Sequence, residues 1–208
     1  MISLPYDRID GLVSDHFLSE HLKLWQGYVA MLKRVERRLA DPLSGGGSPK
    51  LDAPLRLLYE AQSYALNGAL LHKLYFENLS STQSSPAPSA ALTQAMRRCT
   101  DVAGCSMTEQ LVLAGLVSKS GWAMLSYDFE HGDLRVQAID SHNDGVAMRN
   151  MPLIVLDCWE HAYWGDWGVD REGYLHKALS HLQWPVINRR FDEARIAHAA
   201  KLQAFPER

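Results

Sequence analysis

The sequence predicts an α+β fold: an N-terminal antiparallel helical hairpin, then a C-terminal α/β domain with a small three-stranded antiparallel sheet. Three observations predict this arrangement. Apolar residues recur with helical spacing before residue 80, a run rich in serine and proline occupies residues 80–89, and apolar runs typical of strands begin only after Gly121. We therefore divide the chain into an N-terminal helical domain (residues 1–82), a linker (83–89) and a C-terminal domain (90–208).

The N-terminal part predicts two helices. The first runs from about residue 12 to residue 39, and its apolar positions with helical spacing are Phe17, Leu24, Tyr28, Leu32, Val35 and Leu39. The polar side of this helix is basic, and we interpret it as a solvated face that carries Lys33, Arg34, Arg37 and Arg38. The segment SGGGSP at residues 44–49 predicts a loop. A second helix at about 54–78 would pair with the first as an antiparallel hairpin.

The C-terminal part predicts helices around a short sheet. A helix is expected at about 90–98, and Ser106 with Glu109 forms a capping box for another helix that reaches residue 118. Strands are expected at 122–127, 134–139 and 151–157, the first two joined by a turn at 130–133. Two further helices, at about 171–182 and 186–202, close the chain.

Composition excludes several classes of protein. The chain has 208 residues, 47% of them hydrophobic and 22% charged, with a net charge of −3. It therefore lacks the basic footprint that nucleic acids or anionic membranes require, and no apolar run reaches the length of a membrane span. The first residues do not resemble a signal peptide, so we expect a cytoplasmic protein with reduced thiols at Cys99, Cys105 and Cys158.

One stretch, PLIVLDCWEHAYWGDW at residues 152–167, carries the chemistry. An apolar run that is typical of a buried strand stops at Asp157, and His161 follows four residues later among aromatic side chains. A carboxylate oxygen and an imidazole nitrogen suit iron or manganese better than thiolates would. The spacing alone is a weak pattern, because an Asp N-cap followed by a core histidine would produce it too.

The residues that flank this pair resemble the D-x-W-E-H-A-Y motif of the iron/manganese superoxide dismutases. The motif is present as residues 157–163, and other parts of the family pattern follow in the family's order. They are the N-terminal Leu4–Tyr6, the segment His72–Leu79, Ser120–Ala123, and the downstream set Asp166, Trp167, Arg171, Tyr174 and Leu175. The resemblance therefore covers nearly the whole chain.

The resemblance implies one metal ion held by three histidines and one aspartate, with solvent in a fifth position. His72, Asp157 and His161 match ligand positions of the family. The fourth ligand is the histidine that, in the family, lies eight residues before an active-site tyrosine, here Tyr28. The same resemblance implies a metal-binding C-terminal domain, superoxide as the substrate, and iron as the cofactor with manganese as a second possibility.

Two residues compete for the fourth ligand position. Glu20 lies eight residues before Tyr28, and His21 lies seven before it. At about 100° per residue, a spacing of seven brings His21 and Tyr28 to within roughly 20° of one face of a regular helix. We therefore favour His21, whereas a ligand at Glu20 would require a rotated helix.

Several other residues are expected around the ion by the same resemblance. Gly68 would leave a space that His142 fills, so that His142 can hydrogen-bond the bound solvent; a histidine there leans towards iron. The sequence SHNDG around His142 also reads as a surface turn. Trp122 and Trp159, with Phe76, would exclude water, and Tyr28 would pass protons from solvent.

The chain departs from the family at the entrance to the site. The family usually pairs a histidine of the first helix with the second aromatic residue of its H-A-Y-Y run. Here the helix offers Leu24 and Trp25, and the aromatic position is Trp164. Both members of that interaction are replaced together, so no buried polar group is left without its partner.

These features lead to three functional hypotheses. The first is a superoxide dismutase that forms a homodimer, or a tetramer, through Glu160 and His161 of each subunit. The second is a dismutase-like scaffold or assembly protein with impaired catalysis, suggested by the altered first helix and entrance. The third retains the metal but uses it for other redox chemistry, such as peroxide chemistry.

Overall fold

The computed structural model describes residues 4, 6–41, 53–83 and 87–204. The loop predicted at 44–49 lies outside these residues, as do positions 84–86 of the predicted linker and Pro5 of the N-terminal motif. The described residues form seven helices and three strands. In chain order they are α1 (Asp15–Leu39), α2 (Ala53–Asn78), α3 (Ala90–Ala103), α4 (Met107–Val117), β1 (Trp122–Asp128), β2 (Asp133–Ile139), β3 (Asn150–Asp157), α5 (Glu160–Trp167), α6 (Arg171–Ser180) and α7 (Trp184–Ala204).

Helices α1 and α2 pack against each other along their length and form the predicted hairpin. Helix α1 begins at Asp15, three residues later than expected, because the Ser14 hydroxyl caps it by accepting a hydrogen bond from the Phe17 amide at 3.4 Å. The residues that α1 buries are Leu18, His21, Trp25 and Val35. Most of the predicted apolar positions are only half-buried. The buried face of α1 therefore lies about one residue away from the predicted face.

The three strands form one antiparallel sheet in the order β2-β1-β3, which confirms the predicted α+β fold class. The central strand β1 is buried along its whole length, and β3 is buried over its last five residues. The pairing places Trp122, the first residue of β1, opposite Asp157, the last residue of β3. The sheet therefore brings the Trp122 indole and the Asp157 carboxylate together at one end of the strands, next to the hairpin.

Two helices differ from the sequence prediction. Residues 160–167 form a separate helix, α5, where none was assigned, and α3 continues to Ala103. Gly104 ends α3 in the left-handed conformation, with φ at 73°, a geometry that glycine adopts without strain. None of the helices in the described part of the chain is both long enough and apolar enough to cross a bilayer.

A buried arginine ties the hairpin to the sheet. The Arg190 guanidinium on α7 donates to the Asn78 side-chain oxygen (2.9 Å), the Leu153 carbonyl (3.0 Å) and the Glu77 carboxylate (2.9 Å). The Asn78 amide in turn donates to the Val155 carbonyl at 2.7 Å. These bonds cross from α2 to β3 and α7, so they fix the hairpin relative to the strand that ends in Asp157.

We expect replacement of this arginine to destabilise the fold. Arg190→Met fills the space but removes the charged donor of the Asn78 oxygen, the Leu153 carbonyl and the Glu77 carboxylate, which should lower the free energy of unfolding by about 3 kcal/mol. Chemical denaturation measures the change. The matched variant is Arg189→Met on the exposed side of the same helix, which should leave stability nearly unchanged. Equal effects of the two substitutions would contradict this account of the junction.

Candidate metal centre

Four side chains from four elements converge between the hairpin and the sheet. They are His21 of α1, His72 of α2, Asp157 at the end of β3 and His161 of α5, and one nitrogen or oxygen atom of each lies within 4.8 Å of all the others. Three of them are buried, and the side chain of His161 is 27% exposed. The two halves of the chain each contribute two residues, so the cluster exists only when the halves are docked.

One carboxylate oxygen is the centre of the cluster. Asp157 Oδ2 lies 3.0 Å from His21 Nε2, 3.3 Å from His161 Nε2 and 3.6 Å from His72 Nε2. The other oxygen, Oδ1, accepts a hydrogen bond from the Trp159 amide at 3.0 Å. The Tyr174 hydroxyl donates to the backbone carbonyl of Asp157 at 2.9 Å and holds the end of the strand in place.

The tautomer of His72 shows what the cluster can bind. Its Nδ1 must donate to the Gly68 carbonyl, at 2.6 Å, because a carbonyl oxygen only accepts. Burial lowers the pKa of His72 to about 3, so at neutral pH its Nε2 carries a lone pair and no proton. This nitrogen is buried, has no hydrogen-bond partner among the described residues, and faces the Asp157 oxygen. Two acceptors that face each other in a dry site fit a cation between them.

The other charges in the cluster also fit a cation. Burial lowers the pKa of His21 below its ordinary value, although the neighbouring carboxylate opposes the shift. Burial alone would raise the pKa of Asp157, but the imidazoles of His161 and His21 hold it well below the usual range of a carboxyl. An ionised carboxylate and neutral imidazoles are the protonation states that metal ligands need. Three nitrogens and one oxygen are a donor set that iron and manganese accept.

The structure brings His21, not Glu20, into the cluster. Glu20 is half-exposed and pairs with Lys23 at 2.6 Å, whereas His21 is only 4% exposed. Helix α1 is a regular α-helix throughout, so the spacing of seven places His21 and Tyr28 on the same side, as the sequence predicts. The rings of Tyr28 and His72 stack at 5.1 Å between centroids, which puts Tyr28 directly beside the cluster.

His142 is buried within the site and not on a surface turn. Its Nδ1 accepts a hydrogen bond from the Trp122 indole at 3.1 Å, so the neutral ring carries its proton on Nε2. Burial lowers the pKa of His142 to about 4, which keeps the ring neutral at pH 7. In the described part of the chain no acceptor reaches this Nε2 proton, although the atom is buried. His142 is therefore a donor available for a ligand of the site.

The expected relation between Gly68 and His142 is wrong in its detail. A β-carbon on Gly68 would lie 2.7 Å from Cδ1 of the Tyr28 ring, so Tyr28 fills the space next to this glycine. His142 packs instead against the Tyr28 ring, edge to face, at 4.7 Å between centroids. The glycine is needed because α1 and α2 approach closely where the tyrosine ring crosses α2.

The remaining predicted residues lie around the cluster. Trp122 and Phe76 are fully buried, and the Trp159 ring stacks near His161 at 5.8 Å. Trp25 is buried as well and donates its indole proton to the Ala69 carbonyl at 2.9 Å, so it lies between the helices and not at the entrance.

Glu160, which is expected at a subunit interface, and Trp164, which is expected at the entrance to the site, both lie at the surface of this chain. Glu160 and Trp164, both on α5, are 53% and 52% exposed. Glu160 accepts a hydrogen bond from the Ser120 hydroxyl at 3.2 Å and lies 3.9 Å from the Arg171 guanidinium. Leu24 is half-buried and offers no polar group.

Sequence reasoning missed Tyr64. This half-buried residue of α2 packs near Tyr28, with the two ring centroids 6.1 Å apart, and its ring lies 4.5 Å from that of His142. A signal was present, because Tyr64, Gly68 and His72 follow each other at intervals of four along one side of a helix.

The fold and the cluster define an α+β protein with a candidate centre for one metal ion. The family description "Iron/manganese superoxide dismutases, C-terminal domain" matches residues 102–190. Over nearly the full length, the chain is 30% identical to "Superoxide dismutase [Fe]" of Aquifex aeolicus, covering 95% of this chain and 92% of that protein. It is also 30% identical to "Superoxide dismutase [Mn] 1" of Halobacterium salinarum (92% and 94%) and 28% to "Superoxide dismutase [Fe]" of Methanothermobacter marburgensis (91% and 93%). The chain belongs to the iron/manganese superoxide dismutase family.

We expect Gly68→Ala to displace Tyr28. The added methyl group meets the tyrosine ring at 2.7 Å, so the ring must move, and we expect a loss of about 1–3 kcal/mol in the free energy of unfolding. Gly27→Ala on α1 is the control. A β-carbon there meets no atom of the described residues within 4 Å, and alanine favours the helix. Denaturation of both variants measures the difference, and a neutral Gly68→Ala would contradict the close contact.

Proposed function

We propose that this protein is a superoxide dismutase that uses one iron or manganese ion held by His21, His72, Asp157 and His161. The observation that carries the proposal is the unprotonated, buried Nε2 of His72, which faces a carboxylate oxygen 3.6 Å away. An acceptor of this kind loses the stabilisation of a hydrogen bond unless a cation fills the gap. The names of the relatives, which include both iron and manganese dismutases, support the same reaction.

The ion, when bound, supplies a one-electron relay by which one superoxide is oxidised to dioxygen and another, with two protons, is reduced to hydrogen peroxide. The protein must bind the ion, keep the site dry and provide protons. The negative charge of Asp157 favours the more highly charged state of the ion, while the neutral imidazoles add no charge of their own. Trp122 and Phe76, both fully buried, exclude water, and the lower dielectric strengthens these interactions.

Two side chains are suited to handle protons. His142 holds a proton on its buried Nε2 that no described residue accepts, and its Nδ1 is fixed by the Trp122 indole. Tyr28 is half-buried and stacks on His72, so it has both solvent exposure and a contact with the cluster. Burial raises the pKa of Tyr28, so its hydroxyl stays protonated at neutral pH. We place iron before manganese because His142 occupies the position where the resemblance favours iron.

Metal analysis combined with a superoxide assay tests the proposal. We expect about one iron or manganese ion per chain and catalytic removal of superoxide. His72→Gln and Asp157→Asn should each lower metal affinity by more than about tenfold, because the first replaces an imidazole nitrogen by an amide and the second removes the negative charge. His176→Gln, an exposed histidine of α6, is the matched control and should retain both metal and activity.

Two results would overturn the proposal in different ways. A protein that stays free of metal after reconstitution, and is inactive, would favour the scaffold hypothesis. A protein that binds iron or manganese but does not remove superoxide would favour other redox chemistry at the same site. In the first case His72→Gln and Asp157→Asn change nothing, and in the second they still weaken metal binding, so the two results are distinguishable.

We also propose that the protein forms a homodimer through α5, in which Glu160 of one subunit meets His161 of the other. The exposure of Glu160 and Trp164, together with the partly exposed side chain of His161, supports a surface that a second copy covers. A carboxylate that contacts a ligand imidazole would orient it and raise its basicity. The metal sites of the two subunits would then depend on each other.

Sedimentation velocity checks this arrangement. We expect the wild-type protein to sediment as a dimer, or as a tetramer built from such dimers, and Glu160→Ala to shift the population towards smaller species. Glu172→Ala, a similarly exposed carboxylate on α6, should not change the sedimentation coefficient. A monomeric wild-type protein with a full complement of metal would contradict the interface.

A further inference from the structure

Two tyrosine hydroxyls form a buried chain that ends at the backbone of Asp157. The hydroxyl oxygens of Tyr75 on α2 and Tyr174 on α6 lie 3.1 Å apart, and the Tyr174 hydroxyl lies 2.9 Å from the carbonyl oxygen of Asp157. Both tyrosines are fully buried. Loss of either hydroxyl therefore removes a bond that solvent cannot easily replace.

The direction of this chain follows from the acceptor at its end. A carbonyl oxygen only accepts, so the single proton of the Tyr174 hydroxyl is donated to Asp157. The Tyr75 hydroxyl must then be the donor in its bond with the Tyr174 oxygen. Burial raises the pKa of both phenols, so both keep their protons at neutral pH. The chain thus runs from α2, through α6, to the last residue of β3.

The chain begins beside the two histidines of the hairpin. Tyr75 lies three residues after His72, about one turn further along α2, and its ring lies 5.4 Å from the imidazole of His21 between centroids. At the other end, the ring of Tyr174 stacks on Tyr163 of α5 at 5.3 Å. The hydroxyl chain therefore joins the hairpin to the residue whose carboxylate lies at the centre of the cluster.

This link acts closer to the cluster than the junction at Arg190 does. Arg190 donates to the carbonyl of Leu153, four residues before Asp157 along β3. The Tyr174 hydroxyl donates to the backbone of Asp157 itself. A bond to that carbonyl restricts the backbone of the ligand residue and, through it, the direction in which the carboxylate points.

We propose that Tyr75 is a positioning residue of the metal centre: its hydroxyl, acting through the Tyr174 hydroxyl, fixes the place of Asp157 relative to the histidines of the hairpin. A hydroxyl that accepts a hydrogen bond becomes a stronger donor, so Tyr75 also strengthens the bond from Tyr174 to Asp157. The positioning follows from the contacts, whereas its effect on metal binding rests on the proposed function.

The carbonyl ¹³C signal of Asp157 reports the hydrogen bond to its oxygen and can be isolated in the full-length protein. Aspartate precedes cysteine at one place in the sequence, residues 157–158, so labelling aspartate with ¹³C and cysteine with ¹⁵N selects this carbonyl. Tyr174→Phe removes the donor and should shift the signal most. Tyr75→Phe keeps that donor but removes the bond behind it, so we expect a smaller shift in the same direction. Both measurements can be made with and without Zn²⁺, which is diamagnetic and takes nitrogen and oxygen donors.

Tyr6→Phe is the matched control. The Tyr6 hydroxyl donates to the Phe76 carbonyl at 2.6 Å, so this variant also loses one tyrosine hydrogen bond to a carbonyl of the protein. That carbonyl belongs to α2 and not to β3. The Asp157 signal should therefore stay in place in Tyr6→Phe, even if the free energy of unfolding falls as much as in Tyr75→Phe.

The double variant Tyr75→Phe/Tyr174→Phe separates the hydroxyl chain from a general effect on packing. In the chain, Tyr75 acts on Asp157 through the Tyr174 oxygen, so adding Tyr75→Phe to Tyr174→Phe should not move the signal further. An effect of packing alone would shift the signal equally in both backgrounds.

Binding of Co²⁺, measured by competition with a chelator, gives a second readout that needs no turnover. We expect Tyr174→Phe to weaken Co²⁺ binding by about tenfold and Tyr75→Phe by about threefold, because groups that orient a ligand control metal affinity to this extent. Tyr6→Phe should leave the affinity unchanged.

The outcomes separate this inference from the proposed function. An unshifted Asp157 signal in Tyr75→Phe, an equal shift in both backgrounds, or Co²⁺ binding that neither Tyr75→Phe nor Tyr174→Phe weakens would overturn the positioning role. The expected shifts in a protein that binds no metal, or that binds iron without removing superoxide, would support the positioning and refute the proposed function. If Tyr174→Phe does not fold, the comparison of Tyr75→Phe with Tyr6→Phe decides through the Asp157 signal.

Discussion

The rest of the structure depends on the contact between the Asp157 carboxylate oxygen and three imidazole nitrogens. A buried carboxylate is destabilising unless charge or hydrogen bonds compensate it, and Asp157 has no exposure to solvent. The fold supplies that compensation from several directions. The Trp159 amide donates to one oxygen and Tyr174 holds the backbone. Three imidazoles, each from a different helix, surround the other oxygen. A cation would complete the set, since the unprotonated Nε2 of His72 cannot donate.

The cluster depends on how the hairpin is docked on the sheet. His21 and His72 belong to the hairpin, whereas Asp157 and His161 follow β3, so a small shift of one part would separate the ligands. Arg190 and Asn78 fix the two parts relative to each other, and a backbone bridge between Leu79 and Leu182 adds to this junction. These residues lie away from the ligand atoms, yet they determine whether the four atoms meet.

Sequence reasoning recovered the parts of the structure that have a local signal. Periodicity gave the hairpin helices and the strands, and the motif around Asp157 pointed to His161. The choice of His21 over Glu20 followed from the angle per residue of a regular helix. Helix α5 was missed because eight residues are too short for a clear period. The contacts of Tyr28 with Gly68 and Tyr64 were missed because spacing along α2 shows which of its residues share one side, but not which residues of α1 they meet.

The ligand cluster and its entrance are under different physical constraints. His21, His72 and Asp157 of the cluster are buried, so the loss of one partner leaves another buried group unpaired, and substitutions are costly. At the entrance the groups are half-exposed, and water can replace a lost partner at little cost. Leu24 and Trp164 can therefore replace the hydrogen-bonded pair that is usual in the family, whereas replacing His72 or Asp157 would be costly. In the described part of the chain, the rings of Tyr64 on α2 and of His142 in the turn after β2 pack against Tyr28.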